Sequence, residues 1–150
     1  MTKATLLLDV PRRFGFIAVP QWLRATIPSQ AVGVYMLLRD EKPFYVGRSD
    51  HCLVSRLCDH ERLLDASHVV WEVCSSAEQA FRLESAWFHI LSTDGSIENV
   101  IHPARPAGYL RQCPFCDETG MKALVYMLPH LANQDFVPEI SHPLIVPTKK

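Results

Sequence analysis

The chain lacks a long apolar run. Its first apolar stretch, Leu6 to Leu8, is cut short by Asp9, Pro11, Arg12 and Arg13, which leaves it too short for a signal-peptide core or a membrane span. A cytoplasmic protein without membrane association is the expectation. It also lacks an even set of cysteines. The five, at 52, 58, 74, 113 and 116, suit reduced thiols or a metal site better than a secreted disulfide framework. No repeat, low-complexity segment or long run of one charge sign occurs, and 48 % of the residues are apolar against 21 % charged, which excludes a disordered tail or linker. Basic excess is missing too. Net charge is −1, whereas neutralisation of phosphates usually provides most of the affinity for nucleic acid.

The average conceals a gradient. Residues 1–30 carry Lys3, Arg12, Arg13 and Arg24 against Asp9, residues 31–62 balance five bases with five acids, and the remainder is acidic. Any nucleic-acid face should therefore lie in the first 62 residues. At 150 residues the chain is the size of one domain, with residues 1–30 as an N-terminal extension packed on the core.

Periodicity predicts the elements. Val32 to Leu38 and Pro43 to Val46 are apolar and rich in β-branched or aromatic residues around a polar stretch, the pattern of a hairpin. Leu53, Leu57 and Leu64 predict a first helix between Asp50 and Leu64, with Ser49 or Asp50 as its cap. His68 to Cys74 predicts a third strand, and Ser75 to Glu78 has the S-x-x-E form of a capping box opening a helix to about Leu91. In the extensions, Pro20 to Ala25 suggests a helical turn at most. Met121, Leu124, Val125, Leu128 and Leu131 suggest one further helix disturbed by Pro129, and Val137 to Pro147 reads as extended. The order strand, strand, helix, strand, helix points to the α+β class.

Chemistry concentrates at a few positions. Glu84 falls inside the apolar stripe formed by Ala80, Phe81, Trp87, Phe88 and Leu91, and burying an unpaired carboxylate costs several kcal/mol. It must either pair with an arginine or hold a cation. Arg56 and His60, four residues apart, would project from one helix face, where Arg can grip a phosphoryl oxygen through two donors and His can orient or shuttle a proton. Tyr35 and Tyr45 occupy the two strands of the hairpin, and Gly47, at the end of the second, allows close approach of another backbone or a phosphate. Cys113-Pro-Phe-Cys116 is half of a tetrahedral zinc site; His102, Cys74, Cys52, Cys58 or His130 are the candidates for its other half, and a partner chain is another.

Gly33-Val34-Tyr35, nine intervening residues and Tyr45-Val46-Gly47 resemble the paired tripeptides of the GIY-YIG nuclease superfamily. Arg56, His60, Glu84 and Asn99 follow in the family's order, Asn99 at a wider spacing than is usual. The resemblance covers residues 31–100 as a core, leaves 101–150 as a C-terminal extension, and implies a small three-stranded antiparallel sheet flanked by helices. It implies a metal-dependent endonuclease that hydrolyses phosphodiester bonds of DNA, with one Mg²⁺ or Mn²⁺ held by Glu84. Tyr35 would act as general base or water positioner, Tyr45 would hydrogen-bond the scissile phosphate, and Arg56 or Arg48 would hold the phosphate and favour the phenolate. His60 would contact Tyr35 or the water, Gly47 would admit the substrate, and Asn99 would brace the site from behind. Structural Zn²⁺ at Cys113 and Cys116 is a separate expectation. The modest basicity suggests a homodimer or a partner protein supplying further DNA contacts. Competing possibilities are a catalytically inactive module of the same fold that binds nucleic acid or protein, and a zinc-knuckle interaction protein.

Overall fold

The computed structural model describes residues 15–93, 95, 97–99, 101–116, 122, 123, 126 and 127. In chain order the elements are β1 (Phe16–Ile17), α1 (Pro20–Thr26), β2 (Gly33–Arg39), β3 (Lys42–Ser49), α2 (Leu53–Cys58), a 3₁₀ turn (Leu63–Asp65), β4 (His68–Val73) and α3 (Ala77–Ser92). All strand pairings are antiparallel, in the order β1-β4-β2-β3. The class is α+β as expected, but the sheet has four strands rather than three. Phe16 and Ile17 pair with Val69 and His68, and two residues are too few to leave a period-2 signal.

β2 lies between β4 and β3, and its residues Gly33 to Leu38 are buried. Alternation sorts its side chains to two faces. Val34, Met36 and Leu38 join Leu83, Ala86, Trp87 and Ile90 of α3, while Tyr35 and Leu37 join Leu23 and Ile27 around α1 and Leu53 and Leu57 of α2. The hairpin turns through Asp40 and Glu41, both with positive φ (52° and 73°), between the paired residues Arg39 and Lys42, so its twist matches that of the strands. A bulge at Leu37/Leu38 absorbs Phe44, which has no partner in the register.

Three boundaries differ from the expectation. Residues Pro20–Thr26 form a seven-residue helix, not a single turn; Pro20 stands at the first position, where a missing N–H costs nothing, and Leu23 and Ile27 bury one side. α2 is shorter than predicted. Ser49 Oγ accepts from the amides of His51 and Cys52, bending the chain before a helix can begin, and Cys52 occupies the cap without a side-chain bond. Beyond Asp59, His60 Nδ1 accepts from Arg62 N at 3.0 Å, a local bond that competes with helix continuation. The chain resumes as the 3₁₀ turn, which buries Leu63 and leaves Leu64 96 % exposed, reversing the expected stripe.

α3 starts one residue later than the S-x-x-E pattern suggested. Ser76, not Ser75, is the cap and accepts from Gln79 N at 3.0 Å, while Gln79 Oε1 accepts from Ser75 N at 2.6 Å, a reciprocal arrangement of the capping-box kind. Of the predicted last helix, Lys122, Ala123, Tyr126 and Met127 are helical, with Ala123 and Met127 buried against the α3 face of the sheet. Its other predicted residues, the tail, His130 and the basic residues 3, 12 and 13 lie outside the described residues.

Candidate functional site

Both tripeptide glycines are required by packing. A Cβ on Gly47 would collide with the Tyr35 ring, meeting Cε1 at 2.9 Å and the hydroxyl closer still, and one on Gly33 would meet Glu72 O at 2.5 Å and Leu53 Cδ2 at 2.8 Å. Tyr35 and Gly47 are cross-strand partners, so the tyrosine ring lies over the space that the glycine leaves open. The close approach expected at Gly47 is thus made by Tyr35 from the neighbouring strand.

Around that ring the predicted residues converge. His60, which follows α2 rather than lying on it, packs edge-on to Tyr35 (centroids 5.6 Å) and to Tyr45 (4.7 Å). Tyr45, Arg56 and His60, with Ser49, His51 and Arg62 among others, line an open groove of about 640 Å³. Tyr35 is fully buried beneath it, and its hydroxyl makes no well-formed hydrogen bond among the described residues. Burial pushes its pKa well above the usual tyrosine value; the Arg56 guanidinium pulls the other way without offsetting it. Burial, then Arg56, holds the His60 pKa below its ordinary value. Because Nδ1 accepts from Arg62 N, neutral His60 carries its proton on Nε2.

Glu84 reaches the site from the opposite side. It is 7 % exposed on α3, and Arg48 Nη1 donates to its Oε1 at 2.8 Å. The same guanidinium grips Asp50 through Nε to Oδ1 at 2.7 Å and Nη2 to Oδ2 at 3.2 Å. One cation therefore faces two carboxylates. Burial raises the Glu84 pKa from 4.5 to about 7 against the opposing pull of Arg48. Arg56 and Tyr35 both lie within electrostatic reach of that carboxylate, yet Glu84 does not line the groove that holds Tyr45, Arg56 and His60. Arg48, expected at the substrate, is thus engaged with acids.

Asn99 holds the second tripeptide from behind. Its Oδ1 accepts from Val46 N at 2.9 Å and its Nδ2 donates to Val46 O at 2.7 Å. Glu98 N donates to Phe44 O at 2.7 Å, so residues 98 and 99 pair with the outer edge of β3. Arg39 and Arg62 both bind the Glu98 carboxylate, at 3.0 and 2.6 Å.

A second centre lies apart from the tyrosines. One donor atom from each of His89, His102, Cys113 and Cys116 falls within 4.8 Å of all the others, so the cluster could hold a metal ion. Of the sequence candidates for completing the Cys113–Cys116 pair, His102 is present. His89 was missed because, at a half-buried position of α3, it carries no ligand spacing of its own. Cys52 and Cys58 lie instead on the α1–α2 side of the sheet. Comparison of the chain with protein families, curated proteins and solved structures finds no match.

Proposed function

We propose that this chain is a metal-dependent endonuclease of the GIY-YIG type, acting on DNA phosphodiester bonds. The observation that carries the proposal is the convergence of Tyr45, Arg56 and His60 at one groove, with Tyr35 packed against His60 and buried behind it, and a buried carboxylate, Glu84, within electrostatic reach of Tyr35 and Arg56. β2, β3, α2, the second residue after α2, and α3 supply these groups, so positions from 35 to 84 of the chain are brought together.

The residues fit a divalent cation in charge. Asp50 and Glu84 share Arg48, which leaves the trio one negative charge in excess when both acids are ionised. Mg²⁺ or Mn²⁺ commonly binds through one or two carboxylates plus water and substrate oxygens; Glu84 would be its ligand. Once bound, the ion would stabilise charge on the leaving oxygen.

Protein groups perform the remaining work. Arg56, exposed at the groove, grips a phosphoryl oxygen through paired donors. Tyr45 donates a hydrogen bond to the same phosphate. Tyr35 is a phenol at neutral pH, and its buried hydroxyl would orient the attacking water once substrate binding opens it to the groove beside Arg56. His60 packs edge-on against both tyrosine rings and keeps them in place. Gly47 leaves the room that the Tyr35 ring needs, and Asn99 fixes the main chain between Tyr45 and Gly47. The groove mixes Arg56 and Arg62 with Asp59 and Glu61, so a second copy or a partner protein would add the basic surface that tight DNA binding needs.

Arg48 seated on Glu84 Oε1 favours one alternative, a catalytically inactive module that binds nucleic acid or protein through the same groove. Supercoiled plasmid distinguishes the two. Nicking or linearisation that needs Mg²⁺ or Mn²⁺ and vanishes in Glu84→Ala supports the enzyme; equal inertness of both proteins on duplex, single-stranded and branched DNA supports the module.

A further inference from the structure

We propose that His89, His102, Cys113 and Cys116 bind one zinc ion in a closed tetrahedral site, and that this ion fastens the chain following α3 onto the helix that carries Glu84. Four of the six distances between donor atoms are close to the edges of a zinc tetrahedron, and the other two lie within 4.8 Å. Zn–N bonds of about 2.05 Å and Zn–S bonds of about 2.3 Å at the tetrahedral angle require edges of about 3.3 Å for N···N and about 3.6 Å for N···S. The structure has His89 Nε2 to His102 Nε2 at 3.1 Å, Cys113 Sγ to His89 Nε2 at 3.6 Å, and Cys116 Sγ to His89 Nε2 and His102 Nε2 at 3.5 and 3.3 Å.

The surroundings orient the ligands as a metal would need. His102 Nδ1 lies 2.8 Å from Pro103 O; a carbonyl only accepts, so Nδ1 carries the proton and the Nε2 lone pair faces the other three donors. Phe115 N donates to Cys113 Sγ at 3.4 Å, an amide bond that stabilises a thiolate within the Cys-Pro-Phe-Cys turn. Two thiolates and two imidazoles select zinc over Mg²⁺ or Mn²⁺, which prefer oxygen. Four protein ligands leave no open position, so the role is structural rather than catalytic.

Position gives the ion its purpose. His89 lies on α3, five residues after Glu84, whereas the other three ligands belong to the segment 101–116, from which Phe115 and Cys113 pack on the α3 face of the core. Asn99, which holds Val46, precedes His102 by three residues. The ion thereby ties the Asn99 clamp and the Glu84 helix into one unit.

The test uses the full chain purified under reducing conditions. Mass spectrometry of the metal content should give one zinc per chain, and replacement by Co²⁺ should give tetrahedral ligand-field bands with sulfur-to-cobalt charge transfer from two thiolates. His89→Ala and His102→Ala should each weaken zinc binding by at least about 100-fold, and His102→Cys should keep stoichiometric binding while adding a third thiolate to the Co²⁺ spectrum. Chelation should lower the Tm of the wild type by roughly 10 °C or more. Should a single variant fail to fold, the Co²⁺ spectrum of the wild type still reads the ligand set. Absence of zinc from protein with all thiols reduced, or a Co²⁺ spectrum without two thiolates in tetrahedral geometry, overturns the proposal, as does zinc binding unchanged in both histidine variants.

Discussion

Replacing Glu84 by Gln isolates the charge at the centre of the site while keeping its size and an acceptor for Arg48. Burial raises the folded carboxyl from 4.5 to about 7, so folding takes up a proton between those values. Stability is therefore fully present below about pH 4.5 and is lost as pH rises through about 7, an interval that amounts to about 3 kcal/mol for this one group. Gln does not titrate. The difference in unfolding free energy, wild type minus Glu84→Gln, should fall by that amount between about pH 4.5 and about pH 8, with the lowered His60 pKa common to both proteins and cancelling. Urea titrations at several pH values measure it. A difference that stays constant with pH would show that Glu84 carries an ordinary carboxylate pKa in the folded protein, and that burial does not disfavour its ionised form.

Gly47→Ala should cost about 1–3 kcal/mol through the collision with the Tyr35 ring, and Tyr35→Ala in the same chain should relieve much of it; denaturant midpoints of the two single variants and the double variant read the coupling, and strict additivity would refute the contact. Asn99→Ala removes both hydrogen bonds to Val46, at a cost of about 2 kcal/mol, and should speed amide exchange at Val46; unchanged exchange there would show that the clamp does not hold the strand.

The hairpin and α3 were legible because their signals are local. Val32 to Leu38 and Pro43 to Val46 mark the two strands, and the stripe around Glu84 correctly placed that carboxylate in the interior. Its partner could only be named as some arginine, since Arg48 lies 36 residues earlier. The same reason hid His89, whose neighbours in the metal cluster stand 13, 24 and 27 residues away. β1 escaped because it is two residues long. The early end of α2 depends on His60 Nδ1 accepting from Arg62 N, a competition that leucine spacing does not report. Asn99 was placed by family resemblance; its grip on Val46 depends on β3 being the edge strand of the sheet, which no spacing reveals.

The claim that Tyr35, Arg56 and Glu84 work as one hydrolytic site is tested most directly by single-turnover cleavage of an end-labelled DNA duplex in Mn²⁺, comparing the wild type with Tyr35→Phe, Arg56→Ala and Glu84→Ala. Cleavage by the wild type should leave ends consistent with hydrolysis of one phosphodiester bond. Each variant should lose at least about 100-fold in rate, about 2.7 kcal/mol of transition-state stabilisation, while its circular dichroism stays that of the folded protein. A folded Glu84→Ala or Arg56→Ala protein that cuts as fast as the wild type would contradict the claim.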